Sequence, residues 1–239
     1  MSPFDLDRLR AAFRGRAVEY YATLDSTMTA AATRPLGTIV VADEQTAGRG
    51  RHGHGWHSEP GAGIYVSIVL RPGPVLTLAL GLATAEAIAT ATGIACDLRW
   101  PNDVMVGGRK IAGILVEVVN GLAIGGIGIN VNQTAFPSDL AADATSLRLH
   151  AGCEFSRTAI LVSVIRAIES FQFFDKESIL RLFTQASSYA AGRRVTVTQP
   201  GGTVEGVTAG LDDSGYLVVR KNDGTDTLIL AGGVRAAGS

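Results

Sequence analysis

Cysteine and net charge are both scarce in this sequence, and each scarcity excludes a class of protein. The two cysteines, Cys96 and Cys153, are too few for a disulfide scaffold and lack the spacing of a zinc site, so we expect buried thiols in a reducing compartment. The 21 Lys and Arg residues balance 22 Asp and Glu residues, leaving a net charge of −1. A protein held on nucleic acid or on an anionic membrane by its overall charge is therefore not expected.

A signal-peptide core is also missing, and one apolar stretch is better explained as a buried helix than as a membrane span. The first ten residues, MSPFDLDRLR, alternate charged and apolar positions. Residues 76–95 are apolar but include Glu86 and four threonines, which favours burial in a protein core. We expect a soluble, cytoplasmic protein.

Glycine, by contrast, is abundant and unevenly distributed. Of the 29 glycines, six lie in residues 48–63, seven in residues 107–128 and ten from Gly192 onward. With 46% apolar residues and no Gly-x-y period, the chain is neither disordered nor collagen-like. Glycine is useful where the backbone turns sharply or approaches a ligand closely. The first two clusters therefore predict the walls of a site, and the third predicts turns.

The spacing of apolar residues predicts both helices and strands before residue 190. Helical spacing occurs in residues 6–13, 76–92 and 160–171, and Asp25 and Ser26 are placed to cap a short helix over residues 27–33. Strands are predicted over residues 18–22, 38–41 and 63–70. A hairpin is predicted over residues 111–119 and 123–130, turning at Asn120 and Gly121.

Beyond residue 190 the pattern changes to short strands separated by turns that contain glycine. Strand composition occurs in residues 195–197, 203–208, 215–220 and 226–230. This spacing predicts a small all-β barrel over residues 191–239, after a larger domain of residues 1–190.

The segment most informative about chemistry is residues 45–56, QTAGRGRHGHGW, where glycines alternate with Arg49, Arg51, His52 and His54. Glycine lets backbone amides converge on an anion and arginine adds charge-assisted bonds, so the loop suits a phosphate. It is not a Walker loop, because the sequence contains no G-x-x-x-x-G-K-[ST]. Three other interpretations stay open for the loop alone: a histidine metal site, an RGG-like nucleic-acid segment, or a mobile loop with incidental charge.

A second candidate lies in residues 99–115, RWPNDVMVGGRKIAGIL. Lys110 closely follows two glycines and opens an apolar strand, so its ammonium is placed to point into a pocket and neutralise a carboxylate or phosphate. A lysine that extends into solvent from a strand edge explains this position equally well. Asn102 and Asp103 are either turn formers or polar ligands.

Two further segments favour a ligand that lies close to the backbone. Residues 125–132, GGIGINVN, form a strand thinned by glycine, against which another backbone or a flat ligand packs. Asp25, Ser26 and Thr27 form either a helix cap or a set of hydroxyls that binds the polar head of a ligand.

Together these segments resemble the biotin–protein ligase family. The family pattern G-R-G-R-x-G-x-x-W stands at residues 48–56, K-W-P-N-D at residues 99–103 with Arg99 for lysine, K-[LI]-A-G-I-L at residues 110–115 and G-I-G-I-N at residues 126–130. The motifs occur in the family's order. The resemblance implies an α+β fold with a mixed or antiparallel sheet and helices (a class II synthetase-like catalytic domain), followed by a small SH3-like barrel.

The resemblance implies a two-step ligase that consumes ATP. The carboxylate of biotin attacks the α-phosphate of Mg-ATP, giving biotinyl-5′-AMP and pyrophosphate. A lysine of a biotin carboxyl carrier protein, such as a subunit of acetyl-CoA carboxylase, then takes the biotin and releases AMP. Mg²⁺ with ATP is the expected cofactor, with Asp103 as a candidate ligand. Nucleic acid and membrane are not expected partners, and the chain is expected to be a monomer or a homodimer.

The same resemblance implies a role for individual residues. Lys110, Arg49 and Arg51 are the expected catalytic residues, because two anions must be brought together. Biotin's ureido ring is expected at Ser26, Thr27 and Gln45, adenine beside Asn130, and the loop of residues 48–56 is expected to order over the adenylate. The full set expected to bind biotin or the adenylate is Ser26, Thr27, Gln45, Gly48, Arg49, Gly50, Arg51, Trp56, Lys110, Gly113 and Asn130, with Met28, Asn102 and Asp103 as further candidates.

Some positions depart from the family pattern. Met28 stands where many members have asparagine, Arg99 replaces a lysine, and His52 and His54 stand where some relatives carry arginine. Because an amide near the ureido group is missing, we expect biotin to bind more weakly than in a relative with asparagine.

Three other functions compete with the ligase. A lipoate or octanoate transferase of the same superfamily binds an acid whose apolar end does not need the ureido-binding hydroxyls and amide. A biotin-responsive repressor uses an N-terminal helix-turn-helix domain to bind DNA. The roughly 20 residues before the catalytic region are too few for such a domain, so we expect the short form of the ligase. A nucleotide-binding module without catalysis is also compatible with Lys110.

Overall fold

The structure, a computed structural model, describes residues 4–171, 173–199 and 201–237. The helices in chain order are α1 Leu6–Ala12, α2 Thr27–Ala31, α3 Leu76–Thr92, α4 Leu147–Ala151, α5 Arg157–Phe171 and α6 Lys176–Ala186. The strands are β1 Val18–Leu24, β2 Ile39–Gln45, β3 Ile64–Leu70, β4 Asp97–Arg99, β5 Asp103–Val106, β6 Arg109–Val119, β7 Leu122–Ile129, β8 Ala191–Gln199, β9 Gly202–Leu211, β10 Leu217–Arg220, β11 Asp226–Ile229 and β12 Gly233–Ala236.

A seven-stranded mixed sheet forms the centre of the larger unit. Its strand order is β1-β2-β3-β7-β6-β5-β4. The first two strands pair in parallel, and every later neighbour pair is antiparallel. This arrangement confirms the predicted α+β fold with a mixed sheet and helices.

The two faces of this sheet are covered differently. On one face α3 and α5 pack over the large apolar core, which includes Val66 and Ile127. On the other face the short helix α2 packs over a small cluster that includes Met28, Val69 and Ile124. Because side chains alternate between faces along a strand, Gly113 of β6 and Gly126 and Gly128 of β7 lie on this second face, whereas Gly125 faces Leu80 of α3 on the other. The second face is therefore the one that a ligand can approach closely.

The C-terminal residues form a separate five-stranded antiparallel sheet with the order β11-β10-β9-β8-β12. Within the described residues the two edge strands do not pair with each other, so this unit is an antiparallel sheet without a closed barrel. It contacts the larger unit through Trp100, whose indole N–H donates to the Gly215 carbonyl at 2.9 Å. A second contact joins Arg235 to Asp143 at 3.0 Å.

Most predicted elements are confirmed, and their ends differ by a few residues. The long helix begins and ends where predicted, at Leu76 and Thr92. The hairpin turns at Asn120 and Gly121, both of which have positive φ (51° and 78°) as a tight turn requires. The helix predicted over residues 27–33 ends at Ala31. The pattern missed α4, α6, β4, β5 and β12, most of which span only three to five residues.

The prediction of two buried thiols is wrong for Cys153, which is exposed. Cys96 is partly buried, and burial raises the pKa of its thiol to about 12. No helix in the described ranges is both long enough and apolar enough to cross a bilayer. The apolar residues 76–92 instead pack in the core as α3.

Candidate functional site

A cavity lies between the second face of the sheet and the segment that joins β2 to β3. We call residues 46–58 of that segment the Gly-Arg loop. The predicted residues that line the cavity are Ser26, Thr27, Met28, Gln45, Arg49, Gly50, Arg51, Trp56, Asn102, Lys110 and Gly113. The fold therefore gathers four separate sequence segments, which come from α2, the Gly-Arg loop, β5–β6 and β7, around one space.

One end of the cavity is lined by hydroxyl and amide groups in a defined hydrogen-bond chain. The backbone N–H of Thr27 donates to Gln45 Oε1 at 2.8 Å, which fixes which end of the amide is oxygen. The Thr27 hydroxyl donates to the same oxygen at 3.0 Å and accepts from the Ser67 hydroxyl at 2.8 Å. Gln45 Nε2 donates to Ser58 at 3.2 Å. Ser26 Oγ is buried and has no hydrogen-bond partner among the described residues.

The polarity of this end follows from those bonds. The only proton of the Thr27 hydroxyl is used by Gln45, so Thr27 presents an acceptor to the cavity. The Gln45 amide nitrogen has a second N–H to donate, and the Ser26 hydroxyl can do either. Ser26 is at the first position before α2 but makes no capping bond, so its hydroxyl is free for a ligand, as the sequence left open.

The Gly-Arg loop folds back on itself as a small hairpin. Gly50 N–H donates to the His54 carbonyl at 2.7 Å, and Trp56 N–H donates to the Gly48 carbonyl at 2.9 Å. A side chain at Gly48 has no space, since a Cβ there would lie 2.7 Å from the Trp56 carbonyl oxygen. Gly48 therefore shapes the loop and does not line the main cavity.

The two arginines of the loop contact different places, Arg51 the turn before β5 and Arg49 the strand β6. Arg51 Nη1 donates to Asn102 Oδ1 at 3.3 Å, and burial lowers the pKa of Arg51 while the charge of Asp103 opposes this. Arg49 Nη2 forms an ion pair with Glu117 on β6 at 2.7 Å. Arg49 thus lines the cavity while its charge is directed to a carboxylate of the protein.

Trp56 reaches from the loop to the glycines of the sheet. A Cβ on Gly128 would lie 2.3 Å from the Trp56 ring, and one on Gly113 would lie 2.8 Å from it. The indole N–H of Trp56 is buried without a partner among the described residues. Gly113 and Gly128 are therefore required for the close approach of the Trp56 ring, a side chain of the loop, where the sequence predicted another backbone or a flat ligand.

Lys110 lines the cavity with a carboxylate beside it. Its Nζ lies 2.6 Å from Asp103 Oδ1, and Arg99 holds Asp103 Oδ2 at 2.8 Å. Burial alone would raise the pKa of Asp103, but the two cations more than compensate and lower it. The position of the Lys110 backbone is fixed by hydrogen bonds to Asp143 and Thr145. Lys110 is therefore a cavity residue and does not extend into open solvent.

A second, largely apolar cavity adjoins the first on the other side of Trp56 and Lys110. Asn130 lines it together with Gly55, His57, Phe136, Leu140 and Ala144. The Asn130 amide is buried and donates to the Thr145 carbonyl at 3.1 Å. The structure thus places Asn130 next to the predicted site and outside the main cavity.

The residues suggested as metal ligands do not form a metal-binding set. Both Asp103 oxygens are bound by cations, so this carboxylate does not fit the role of a magnesium ligand in the arrangement seen. Across the described residues, no three His, Cys, Asp or Glu side chains are grouped as metal ligands would be.

Several residues that complete the site were not predicted from the sequence. Ser67 and Ser58 orient the hydroxyl and amide chain, and Glu117 binds Arg49. The lining also includes Val66, Ile114, Leu115, Gly126, Ile127 and Gly128. The glycines, Ile114, Leu115 and Ile127 stood in segments that the sequence had already singled out, but Ser58, Ser67, Val66 and Glu117 are ordinary strand and loop residues with no local signal.

Comparison with known proteins agrees with this geometry. The model of the Biotin/lipoate A/B protein ligase family matches residues 20–133, and that of the Biotin protein ligase C terminal domain matches residues 191–234. The "Bifunctional ligase/repressor BirA" of Bacillus subtilis is 35% identical over 238 residues, which cover 90% of this chain and 73% of the relative. The "Biotin--[acetyl-CoA-carboxylase] ligase" of Mycobacterium tuberculosis is 35% identical over 210 residues, covering 82% and 77%.

A solved structure shares both the fold and the sequence. It is the "Biotin protein ligase from Aquifex aeolicus in complex with biotin and ATP", with a TM-score of 0.83 and 32% identity. The match covers 94% of this chain and 100% of that one.

Proposed function

This chain belongs to the biotin/lipoate A/B protein ligase family, and on that premise we propose that it is an ATP-dependent biotin–protein ligase. The observation that carries the proposal is the single cavity where a polar head pocket, the Gly-Arg loop and Lys110 meet over glycine-lined strands. The Mycobacterium tuberculosis relative is named a biotin ligase, the Bacillus subtilis relative a bifunctional ligase and repressor, and the structural neighbour is a biotin protein ligase with biotin and ATP bound.

The reaction has two steps. An oxygen of the biotin carboxylate attacks the α-phosphorus of ATP, a bond to the α-phosphate forms, and pyrophosphate leaves. The neutral ε-amine of a lysine on a carrier protein then attacks the acyl carbon of biotinyl-5′-AMP. The new amide bond releases AMP, and the amine gives up its proton.

The head pocket is complementary to a cyclic urea. We assign an N–H of the urea to the acceptor oxygen of Thr27, and the urea carbonyl to the free N–H of Gln45 and the hydroxyl of Ser26. A dithiolane or alkyl end offers no partner for these buried groups, and leaving them unpaired costs affinity. This is the observation that favours biotin over lipoate or octanoate.

Lys110 and Arg51 supply positive charge where the two anions meet. We propose that the Lys110 ammonium leaves its ion pair with Asp103 and binds the biotin carboxylate and the α-phosphate. This lowers the repulsion between the two reactants and stabilises the charge that develops on the phosphate. Arg51 approaches the same space from the loop, and the backbone of Arg49 and Gly50 lines it. The adenine is assigned to the adjoining apolar cavity beside Trp56 and Asn130.

The proposal also covers the metal, the carrier, the location, the assembly and the division of the chain. Magnesium is assigned to the phosphates of ATP and to no residue of this chain. The carrier is a biotin carboxyl carrier protein, and the location is the cytoplasm, consistent with two free cysteines. A monomer or homodimer that binds neither nucleic acid nor membrane is proposed. The division after residue 190 and an SH3-like barrel are proposed for the C-terminal unit, in which β8 begins at Ala191.

One experiment tests the function. The purified protein is incubated with Mg-ATP and either biotin or lipoate, and pyrophosphate release is measured; a carrier domain is then added and its mass is followed. We expect pyrophosphate release and a biotin-sized mass increase only with biotin. Release with lipoate alone would favour the rival transferase, and release with neither acid would refute the ligase.

A further inference from the structure

We infer that Glu117 is a positioning residue that holds the Gly-Arg loop closed over the site through the guanidinium of Arg49; the inference rests on the proposed function. Arg49 Nη2 lies 2.7 Å from Glu117 Oε1. Glu117 is on β6, the strand that also carries Lys110, so the ion pair joins the loop to the strand on which the proposed chemistry takes place. We call this contact the loop latch.

The hairpin shape of the loop transmits the effect of this contact. Arg49 forms a bridge with Gly55 across the hairpin, and Trp56 N–H bonds to Gly48 beside it. Holding Arg49 on β6 therefore also holds Trp56 on Gly113 and Gly128, the position in which it separates the two cavities. The contact from Arg51 to Asn102, in the turn before β5, is longer at 3.3 Å.

The exposure of the pair suits a reversible lid. The Arg49 and Glu117 side chains are 48% and 33% exposed. Exposed ion pairs are weak and are screened by salt, so this pair can favour closure without preventing opening. Closure matters because the mixed anhydride reacts with water: if the adenylate escapes or water enters, hydrolysis gives biotin and AMP and the ATP is wasted.

The first test needs no substrate, because the loop carries two trypsin sites, after Arg49 and Arg51. We expect Glu117→Gln to be cut there about two- to fivefold faster than the parent, with Glu117→Asp in between. Raising the salt from about 0.05 M to about 0.5 M should accelerate cutting of the parent and leave Glu117→Gln almost unchanged.

Two controls separate the latch from general effects. Asp226→Asn removes another exposed carboxylate, which is paired with Arg220 on the C-terminal sheet, and this variant should be cut like the parent. An isolated peptide of residues 44–60 corrects for the effect of salt on trypsin itself. Equal cutting of the parent and Glu117→Gln at both salt concentrations would overturn the latch.

The second test uses the complete reaction with biotin, Mg-ATP and a carrier domain. The measured quantity is pyrophosphate released per biotin transferred. We expect this ratio to rise about two- to fivefold in Glu117→Gln and to stay at the parent value in Asp226→Asn. An unchanged ratio in Glu117→Gln contradicts the latch. A parent that releases no pyrophosphate with biotin instead refutes the proposed function, while the trypsin comparison still decides the latch.

Discussion

Lys110 shows how the charge at a site can be held ready before a substrate arrives. Its ammonium forms an ion pair with Asp103, the first residue of β5. Arg99 pairs with the same carboxylate, so two cations lie beside one anion. When a carboxylate and a phosphate enter the cavity, Lys110 can form ion pairs with them, while Asp103 stays paired with Arg99. The pairing therefore stores a positive charge in the cavity at low cost, because no lysine has to be buried unpaired.

Replacing Lys110 with alanine should remove most of the activity. We expect Lys110→Ala to lower the rate of pyrophosphate release at least about 100-fold, since a group that stabilises developing phosphate charge is lost. The measurement is a pyrophosphate assay with biotin at saturating ATP. Lys221→Ala, in a C-terminal turn, is the matched control and should keep the parent rate. Full activity of Lys110→Ala would refute the role assigned to this residue.

The lowered pKa of Asp103 predicts how stability depends on pH. Because the folded-state pKa of Asp103 lies below the ordinary aspartate value of 3.8, its charge stabilises the protein above that value, and the effect is lost as the pH falls through the folded-state pKa. Parent and Asp103→Asn should therefore differ in free energy of unfolding by a constant amount at neutral pH and converge below about pH 3.8. Urea unfolding across pH 2.5 to 7, an approximate range that spans the titration, measures this. If the two proteins differ in free energy of unfolding by the same amount at every pH, the ion pairs do not lower the pKa of Asp103 in the folded protein.

Met28 has a structural role as well as a place at the cavity. Its sulfur packs against the face of Gly126, where a Cβ would lie 2.7 Å away, and it is buried with Val69 and Ile124. We expect Met28→Asn to bind biotin more tightly by adding an amide at the head pocket. It should also lower the free energy of unfolding by about 1–3 kcal/mol, because an amide enters an apolar cluster. Biotin titration and urea unfolding of both proteins test this, and equal or weaker binding by Met28→Asn contradicts the first part.

At the scale of elements, the strand glycines decide how closely the loop approaches the sheet. Gly113, Gly126 and Gly128 lie in β6 and β7 on the face that α2 and the loop cover. Glycine normally weakens a strand. Here its lack of a side chain lets the Trp56 ring rest on the backbone, which explains why so many glycines occur within regular strands.

Gly128→Ala should therefore disturb the loop more than the sheet. The added Cβ would lie 2.3 Å from the Trp56 ring, so the indole must move out of the cavity. We expect at least about a tenfold loss of kcat/KM for biotin with a change in tryptophan fluorescence, because displacing a positioning contact is costly in catalysis. Gly233→Ala in β12 has nothing within 4 Å of the added Cβ and is the control strand substitution. If Gly128→Ala keeps parent activity, the close packing of Trp56 is not needed for the reaction.

At the scale of the whole molecule, a buried ion pair joins several elements behind the site. Arg157 at the start of α5 binds Asp43 of β2 at 2.6 Å and the Gly63 carbonyl at 3.2 Å, and it stacks on Phe4. Asp43 also accepts from Tyr20 of β1 at 2.6 Å. These contacts connect the N-terminal residues, the sheet and α5, outside the proposed chemistry.

Breaking the ion pair of Arg157 and Asp43 should lower the stability of the fold without removing a group that takes part in the reaction. We expect Arg157→Ala to lower the free energy of unfolding by roughly 3–5 kcal/mol, since the Asp43 charge is left with little solvent and without its cation. Arg148→Ala breaks the exposed pair with Glu154 and should cost about 1 kcal/mol or less. Urea unfolding of the three proteins compares them. If the two variants lose similar amounts of free energy of unfolding, burial does not determine how much the pair of Arg157 and Asp43 stabilises the protein.

The sequence alone determined the type of most long elements, although it missed α6, and it supplied the candidates for the site. The helix over residues 76–92 and the hairpin at Asn120 and Gly121 follow from local periodicity and turn chemistry, which need no distant partner. The Gly-Arg loop and the segment of Lys110 stood out because their residue types are unusual together and match a known family pattern. Short elements such as β4 and β12 have too few residues for a periodic signal.

Only the tertiary structure decided which of those candidates meet and what each one contacts. Ser58, Ser67 and Glu117 have no unusual local pattern, because their roles come from partners between 13 and 68 positions away in the chain. The pairing of β6 with β7 brings Gly113 and Gly128 side by side under Trp56. Whether Lys110 points into solvent or into a cavity is likewise set by packing, since a strand position fixes only the face on which a side chain lies. The glycines and charged residues can be identified in the sequence, but the pairing of the strands determines which residues are their neighbours across the sheet.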